Sequence, residues 1–181
     1  MKTLLPIFIP ILFFCSFLNG QQMVSHSTDN GNFKFKLPAG CEVRDQELLD
    51  LMNEHNPFIQ FIAICTIDSN KGIAIAVSKY TNDSKVSIDE AYQLSVETVG
   101  GQNLGLEDAY KLIDHKVYQK NGKTLRYKIS ETFEGINSIM FYFMKNDFSN
   151  ELFEVKITAK SEDRKEALDY GEKIALSVGF K

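Results

Sequence analysis

The run Ile136-Asn137-Ser138-Ile139-Met140-Phe141-Tyr142-Phe143-Met144 constrains the fold more than any other stretch. From Ile139 onward it is apolar on both alternating faces: Ile139, Phe141 and Phe143 point one way, Met140, Tyr142 and Met144 the other. A strand apolar on both sides needs cover on both sides, which demands a layered fold. The run is the middle of three antiparallel strands read between Leu125 and Ala159, so it belongs near the centre of a sheet.

The rest of the chain supplies the cover. Ser87-Ile88-Asp89-Glu90 is a capping box, with Ser87 at the cap and Glu90 three residues on. The helix it opens carries Ile88, Ala91, Tyr92, Ser95, Val96 and Val99 on one face and stops at Gly100-Gly101. A last helix, with Ser161 as its expected cap, carries Ala167, Leu168, Gly171, Ile174, Ala175 and Val178, with Gly179 as the expected C-cap. Gly171 within that stripe marks close packing on the sheet. A short third helix follows Asp45, an N-cap residue, through Leu48, Leu49 and Met52, and ends at Asn56-Pro57.

The remaining strands read from alternation and turn chemistry. Phe33, Phe35 and Leu37 alternate with Lys34 and Lys36, and Pro38-Ala39-Gly40 ends the strand. Cys41 to Arg44 forms a short strand. Phe58 to Ile67 is a strand covered on both faces. A turn over Asp68 to Gly72 joins it to Ile73–Val77, where Ala74 and Ala76 are small enough for a helix to approach. Lys116–Gln119, Asn121-Gly122 and Lys123–Glu131 make a hairpin. On the final strand Phe153, Val155, Ile157 and Ala159 face in, and Glu154, Lys156 and Thr158 face out. Gln102 to Asp114 is the longest connection, and long loops carry function more often than short ones.

Residues 1–20 stand apart. Lys2 is followed by an apolar run from Leu4 to Leu18 and a small residue, Gly20, which describes a secretory signal peptide cleaved after Gly20. The apolar core contains Pro6 and Pro10 and is shorter than the roughly 20 residues of a spanning helix. A permanent N-terminal anchor is the alternative. Lipidation at Cys15 is disfavoured by Phe14, because a lipobox takes a small residue there. Residues 21–31 are polar and aperiodic, a flexible lead-in. Residues 32–181 then form a single domain, secreted or periplasmic and not transmembrane after cleavage. The net charge of −4 and pI near 5.4 argue against a nucleic-acid partner. Loss of Cys15 leaves Cys41 and Cys65, which either pair as a disulfide or stand as two separate buried thiols.

The order of these elements resembles the PsbP-like α/β/α sandwich group. The resemblance rests on the first strand and its Pro-x-Gly turn (Phe33 to Gly40), the strand pair and capped helix at Ser87, the meander, and the C-terminal helix ending near Val178-Gly179-Phe180. It covers residues 32–181 and is that of a secreted bacterial member of the group. It implies an α+β fold, a central, mainly antiparallel sheet with helices on both faces. It also implies non-catalytic docking to a larger assembly. Two departures stand out: Cys41 occupies a position often aromatic, and the helix near residues 46–54 is extra.

Candidate chemistry is sparse. His26, His55 and His115 show no metal-ligand spacing, and Asp114 and His115, adjacent on a strand, point to opposite faces. No nucleophile elbow, phosphate loop or dinucleotide fingerprint occurs. Gly100 to Gly105 follows a helix and reads as a connector. No catalytic, cofactor-binding or metal residue is assigned. Asn82-Asp83-Ser84 matches a glycosylation sequon, relevant only in a eukaryotic secretory route. Lys116, Lys120, Lys123, Arg126 and Lys128 make a basic hairpin on an acidic protein: either lysines guarding a sheet edge or a docking surface for an acidic partner or headgroups. The sequence thus points to a non-enzymatic accessory domain binding a protein or envelope component. The alternative is a carrier of an apolar small molecule or lipid held between sheet and helices.

Overall fold

The computed structural model describes residues 22–54, 57–68, 71–99, 110–147 and 149–181. The signal peptide expected at 1–20, His55 and most of the Gln102–Asp114 connection lie outside them. In chain order the elements are β1 (Met23–Thr28), β2 (Phe33–Pro38), β3 (Cys41–Val43), α1 (Gln46–Asn53), β4 (Ile59–Asp68), β5 (Lys71–Thr81), α2 (Ile88–Val99), β6 (Tyr110–Lys120), β7 (Lys123–Thr132), β8 (Ile136–Phe143), β9 (Glu151–Lys160), α3 (Arg164–Ser177) and β10 (Gly179–Phe180).

Seven strands form one antiparallel sheet in the order β3-β4-β5-β9-β8-β7-β6. β8 and β9 are therefore interior strands, as the two-faced run of β8 requires. One face is closed by α3 and by a small sheet of order β1-β2-β10. Between them lies the main core. Phe33, Phe35 and Leu37 of β2 meet Phe61, Ile75, Phe141, Phe153 and Ile157 of the sheet and Ala167, Ile174 and Ala175 of α3. Aromatic rings interlock there: Phe33 stacks on Phe153 at 4.5 Å, and Phe35 meets Phe61 edge-on at 5.0 Å. The opposite face carries α2 over β6, β7 and β8, and α1 beside β4. This is an α+β sandwich with helices on both faces of an antiparallel sheet, as the sequence pattern requires.

α3 lies close to the sheet because Gly171 permits it. A Cβ at that position would stand 2.6 Å from Phe141 Cε2 and 3.0 Å from Ile157 Cδ1. At Asn121-Gly122 both residues have positive φ, 51° and 74°, the conformation a tight two-residue hairpin needs.

The capping box of α2 forms as read. The Glu90 amide donates to Ser87 Oγ at 3.2 Å, and the Ser87 amide donates to Glu90 Oε2 at 2.8 Å. The bonds it accepts from the Ser87 amide and then the Ser87 hydroxyl hold the Glu90 carboxyl below its usual range. Ser87→Ala is expected to destabilise the protein by about 1 kcal/mol. Urea titration of the variant checks this, and an unchanged midpoint refutes it. Asp45 caps α1 in the same way, its Oδ1 accepting from the Leu48 amide at 3.1 Å.

Four expectations are corrected. The flexible lead-in expected over 21–31 is corrected at 23–28, because β1 pairs with β2 from Met23↔Pro38 to Thr28↔Phe33. The backbone bonds to β2 and the buried Thr28 outweigh the polar composition. Ser161 does not cap α3. Its hydroxyl donates to the Gly135 carbonyl at 2.7 Å and accepts from Asn137 Nδ2 at 2.5 Å, so it ties the β7–β8 turn to the end of β9. Gly179 is not a C-cap, since it opens β10 and pairs with Lys34 of β2. The end of the Gln102–Asp114 connection is strand: β6 begins at Tyr110, with an irregularity between Leu112 and Asp114.

Candidate functional site

β5 and β9 run side by side through the middle of the sheet. Their side chains on the α2 face pair in register: Ala74↔Thr158, Ala76↔Lys156, Ser78↔Glu154 and Tyr80↔Leu152. The expectation that a helix closes over Ala74 and Ala76 is corrected, for Ala74 is exposed and Ala76 half-exposed. α2 is anchored elsewhere. Tyr92 donates to the Tyr127 carbonyl at 2.9 Å, Lys128 Nζ donates to the Ser95 carbonyl at 2.8 Å, and Arg126 pairs with Asp89. These ties hold α2 over β7, three strands away from β5. α1 sits over the other side, beside β4.

A groove of about 380 Å³ opens in the gap. One wall is apolar, formed by Met52 of α1 with Ile59 and Ile62 of β4. Its floor is Ala74 and Ala76. The other wall is polar: Thr158, Lys156 and Glu154 of β9, with Ser78 and Tyr80 of β5. Along β5 from Ala74 to Tyr80 the groove runs about 20 Å at the rise of an antiparallel strand. Phe58 braces the Tyr80 end, its ring 4.9 Å from the Tyr80 ring.

Glu154 is the chemical centre of this wall. It is only 9% exposed, and burial pushes its carboxyl up, against the opposing pull of Lys128, then Lys156, and a bond from Tyr142. Lys128 lies one strand beyond β8, 6% exposed, with its ammonium 5.7 Å from the centre of the Tyr142 ring. Burial holds it down to about 8. Tyr142, between the two, has its hydroxyl pushed upward, chiefly by burial and then by Glu154.

The signs of these shifts give opposite pH dependences. A raised Glu154 binds its proton more tightly folded than unfolded, so its contribution to stability is present below about 4.5 and is lost as pH rises through the folded value. A depressed Lys128 does the reverse, its penalty being relieved as pH rises from about 8 towards 10.5. Together they contribute a shallow stability minimum between the two limbs. Glu154→Gln is expected to flatten the acid limb and Lys128→Met the alkaline limb, read by urea titration at pH 5, 7 and 9. Parallel pH profiles for wild type and both variants would refute the assignment.

The five basic residues of the β6–β7 hairpin do not gather into one patch. Cross-strand pairing of Lys116 with Tyr127 and of Lys120 with Lys123 places those three lysines on the α3 face. Arg126 and Lys128 lie on the α2 face. Lys120 pairs with Glu172, and Lys123 Nζ donates to the Leu176 and Val178 carbonyls at 2.7 and 2.6 Å, completing the end of α3. Lys116 stands 5.4 Å from the Tyr118 ring centre. Four of the five are thus bonded to the helices beside them.

Cys41 and Cys65 are cross-strand partners on β3 and β4, their sulfurs 2.02 Å apart. Asp114 accepts from Tyr127 at 2.8 Å on the α3 face, while His115 Nδ1 lies 3.3 Å from the Tyr92 hydroxyl on the other. His26 packs against Phe35 and Phe61, and burial lowers its pKa. Among the described residues no three His, Cys, Asp or Glu side chains are grouped to hold a metal. The sequon asparagine, Asn82, is buried, its amide nitrogen donating to the Val86 and Ser149 carbonyls at 2.9 and 2.8 Å. It holds the loop after β5 rather than presenting an acceptor.

The groove residues are absent from the sequence-derived candidates. One signal pointed to them. Glu154 and Lys156 share a sheet face with Met140 and Tyr142, whose apolar character marks that face as covered.

No protein-family model matches the chain, and no curated protein matches it by sequence. The chain is similar to several solved structures. The cyanobacterial PsbP of Synechocystis aligns with a TM-score of 0.58 and 11% identity, over 94% of this chain and 99% of that one. LpqN of Mycobacterium tuberculosis, described as involved in cell envelope biogenesis, aligns at 0.48 and 11% identity over 88% and 91% of the two chains. A protein of Bacteroides thetaiotaomicron aligns at 0.39 and 10% identity over 89% of this chain and 49% of that one. The first likeness shows a PsbP-like fold. Among the described residues no helix is long and apolar enough to cross a membrane.

Proposed function

We propose that this chain is a non-catalytic accessory domain, secreted or periplasmic, that binds a protein or envelope component across the uncovered stripe of its sheet. One observation carries the reading. Among the described residues no helix stands over β5 and β9 on the α2 face, and the groove there meets exposed apolar side chains: Met52, Phe58 and Ile64. Bare sheet with an apolar rim is unfavourable in water unless something covers it part of the time. The PsbP-like fold supports the accessory role, and the apolar residues 4–18 support export.

The closed-cavity form of the carrier alternative finds no support in the core. Phe33, Phe141 and Phe153 fill the space between sheet and α3, each 2% exposed or less. A ligand has room on the α2 face, in the open.

The test is site-specific photo-cross-linking in the native envelope. A photoreactive residue replaces Met52, Ile64 or Ala74 at the groove, and Lys173 or Phe133 away from it. Adducts from the groove positions and none from the other two are expected. Equal capture at Lys173, or none at the groove, would overturn the proposal.

A further inference from the structure

The groove's own chemistry narrows what it holds. Its two walls differ. Met52, Ile59 and Ile62 offer only hydrocarbon, and Ala74 and Ala76 keep the floor low enough for a chain to lie flat. The facing wall carries charge, and its balance is positive. Lys156 lines the groove, Lys128 stands behind it, and Glu154 is the one carboxyl in the lining. α1 brings further acids, but Asp45, Glu47, Asp50 and Glu54 line a separate hollow on its outer side. Two cations stand against one nine-tenths-buried carboxyl, so the wall carries one positive charge in surplus. On a protein of net charge −4 this local surplus opposes the overall field. An anion satisfies it, and the opposite wall asks for an apolar body.

We propose that the groove binds an amphiphilic carboxylate, its acyl chain lying on Ala74 and Ala76 against Ile62 and Met52 and its head paired with Lys156. The inference rests on the binding face assigned above and gives it a ligand class. Lys156 is suited to the role because it lines the groove and is half-exposed there, two residues from Glu154 on the same face. The carboxylate head takes a charge-assisted hydrogen bond from Lys156, and the Ser78, Tyr80 and Thr158 hydroxyls lie along the same wall. A cationic amphiphile meets the same hydrocarbon but places its charge beside Lys156 and Lys128, which disfavours it.

Calorimetric titration of the purified protein with decanoate, decanol and decyltrimethylammonium tests this. Decanoate is expected to bind at least about tenfold more tightly than decyltrimethylammonium. Lys156→Ala should weaken decanoate by about tenfold or more and leave decanol unchanged, while Lys156→Arg restores decanoate. Ala76→Leu, which fills a half-exposed floor position without entering the core, should remove binding of both. The proposal is overturned if decyltrimethylammonium matches decanoate, or if Ala76→Leu leaves decanoate binding intact. The two readings fail separately. Groove cross-links to an envelope protein without decanoate binding reject the ligand class alone, and no capture at the groove rejects the binding face itself.

Discussion

Gly171→Ala is expected to destabilise the protein by about 2 kcal/mol, and Gly171→Leu by more than about 4 kcal/mol. On propensity alone the first change should help, since alanine is favoured over glycine within a helix by about 1 kcal/mol. Packing reverses the sign. The added Cβ would fall 2.6 Å from the Phe141 ring and 3.0 Å from Ile157. Neither neighbour has anywhere to go: Phe141 and Ile157 are fully buried, Phe141 beside Tyr127 and Ile157 between Ile75 and Ile139 on neighbouring strands. α3 must therefore lift off the sheet, giving up contacts along Ala167, Ile174 and Ala175. Urea titration should show a lowered midpoint with little change in slope. A Gly171→Ala protein at least as stable as wild type would show that propensity prevails and that the helix seat is loose.

Opening the Cys41–Cys65 link is the second large effect expected. The two residues are 24 apart and enclose α1 and the start of β4. In the chain-entropy account, closing a loop of that size stabilises the fold by roughly 3–4 kcal/mol. For a domain of this length that is a shift of about 10 °C in midpoint. β3 has only three residues and among the described residues pairs with β4 alone, so it is the element most exposed to the loss. The paired substitution Cys41→Ala with Cys65→Ala, compared with wild type in and out of reductant, separates the link from the buried thiol of Cys65. Identical melting in all four samples would refute the assignment. Thiol counting on protein from its own compartment adds a second readout: no free thiol is expected if residues 1–20 have been removed, and one if Cys15 is retained.

Much of the fold was legible because it follows from short-range pattern. The capping box at Ser87, the Asn121-Gly122 turn and the two-faced β8 each depend on neighbouring residues, and all three form as read. The misreadings share a cause: long-range partners that local pattern does not carry. Met23–Thr28 is polar and aperiodic, yet it is strand because β2 lies alongside. Ser161 looks like a helix cap, but Asn137 and Gly135, distant in sequence, claim its hydroxyl. The candidate site was hidden for a related reason. Lysines of the β6–β7 hairpin looked like a surface because the acids and carbonyls that receive them lie on α2 and α3. Glu154 and Lys156 looked like ordinary outward residues because alternation reports which face a side chain takes, and not whether a helix stands over that face.

The pairing of β10 with β2 joins the two ends of the domain: Gly179 meets Lys34, Phe180 meets Phe33, and the Lys181 amide donates to the Asn32 carbonyl at 3.0 Å. Phe180 also closes the aromatic cluster, 5.5 Å from Phe33 and 5.8 Å from Phe153. Contacts that span nearly the whole sequence are the slowest to form, because the intervening chain must be ordered first. A chain emerging amino-terminus first therefore holds β2 without its last partner until residue 180 has appeared. The β2–β10 pair is thus the last strand pairing of the domain to become available during synthesis.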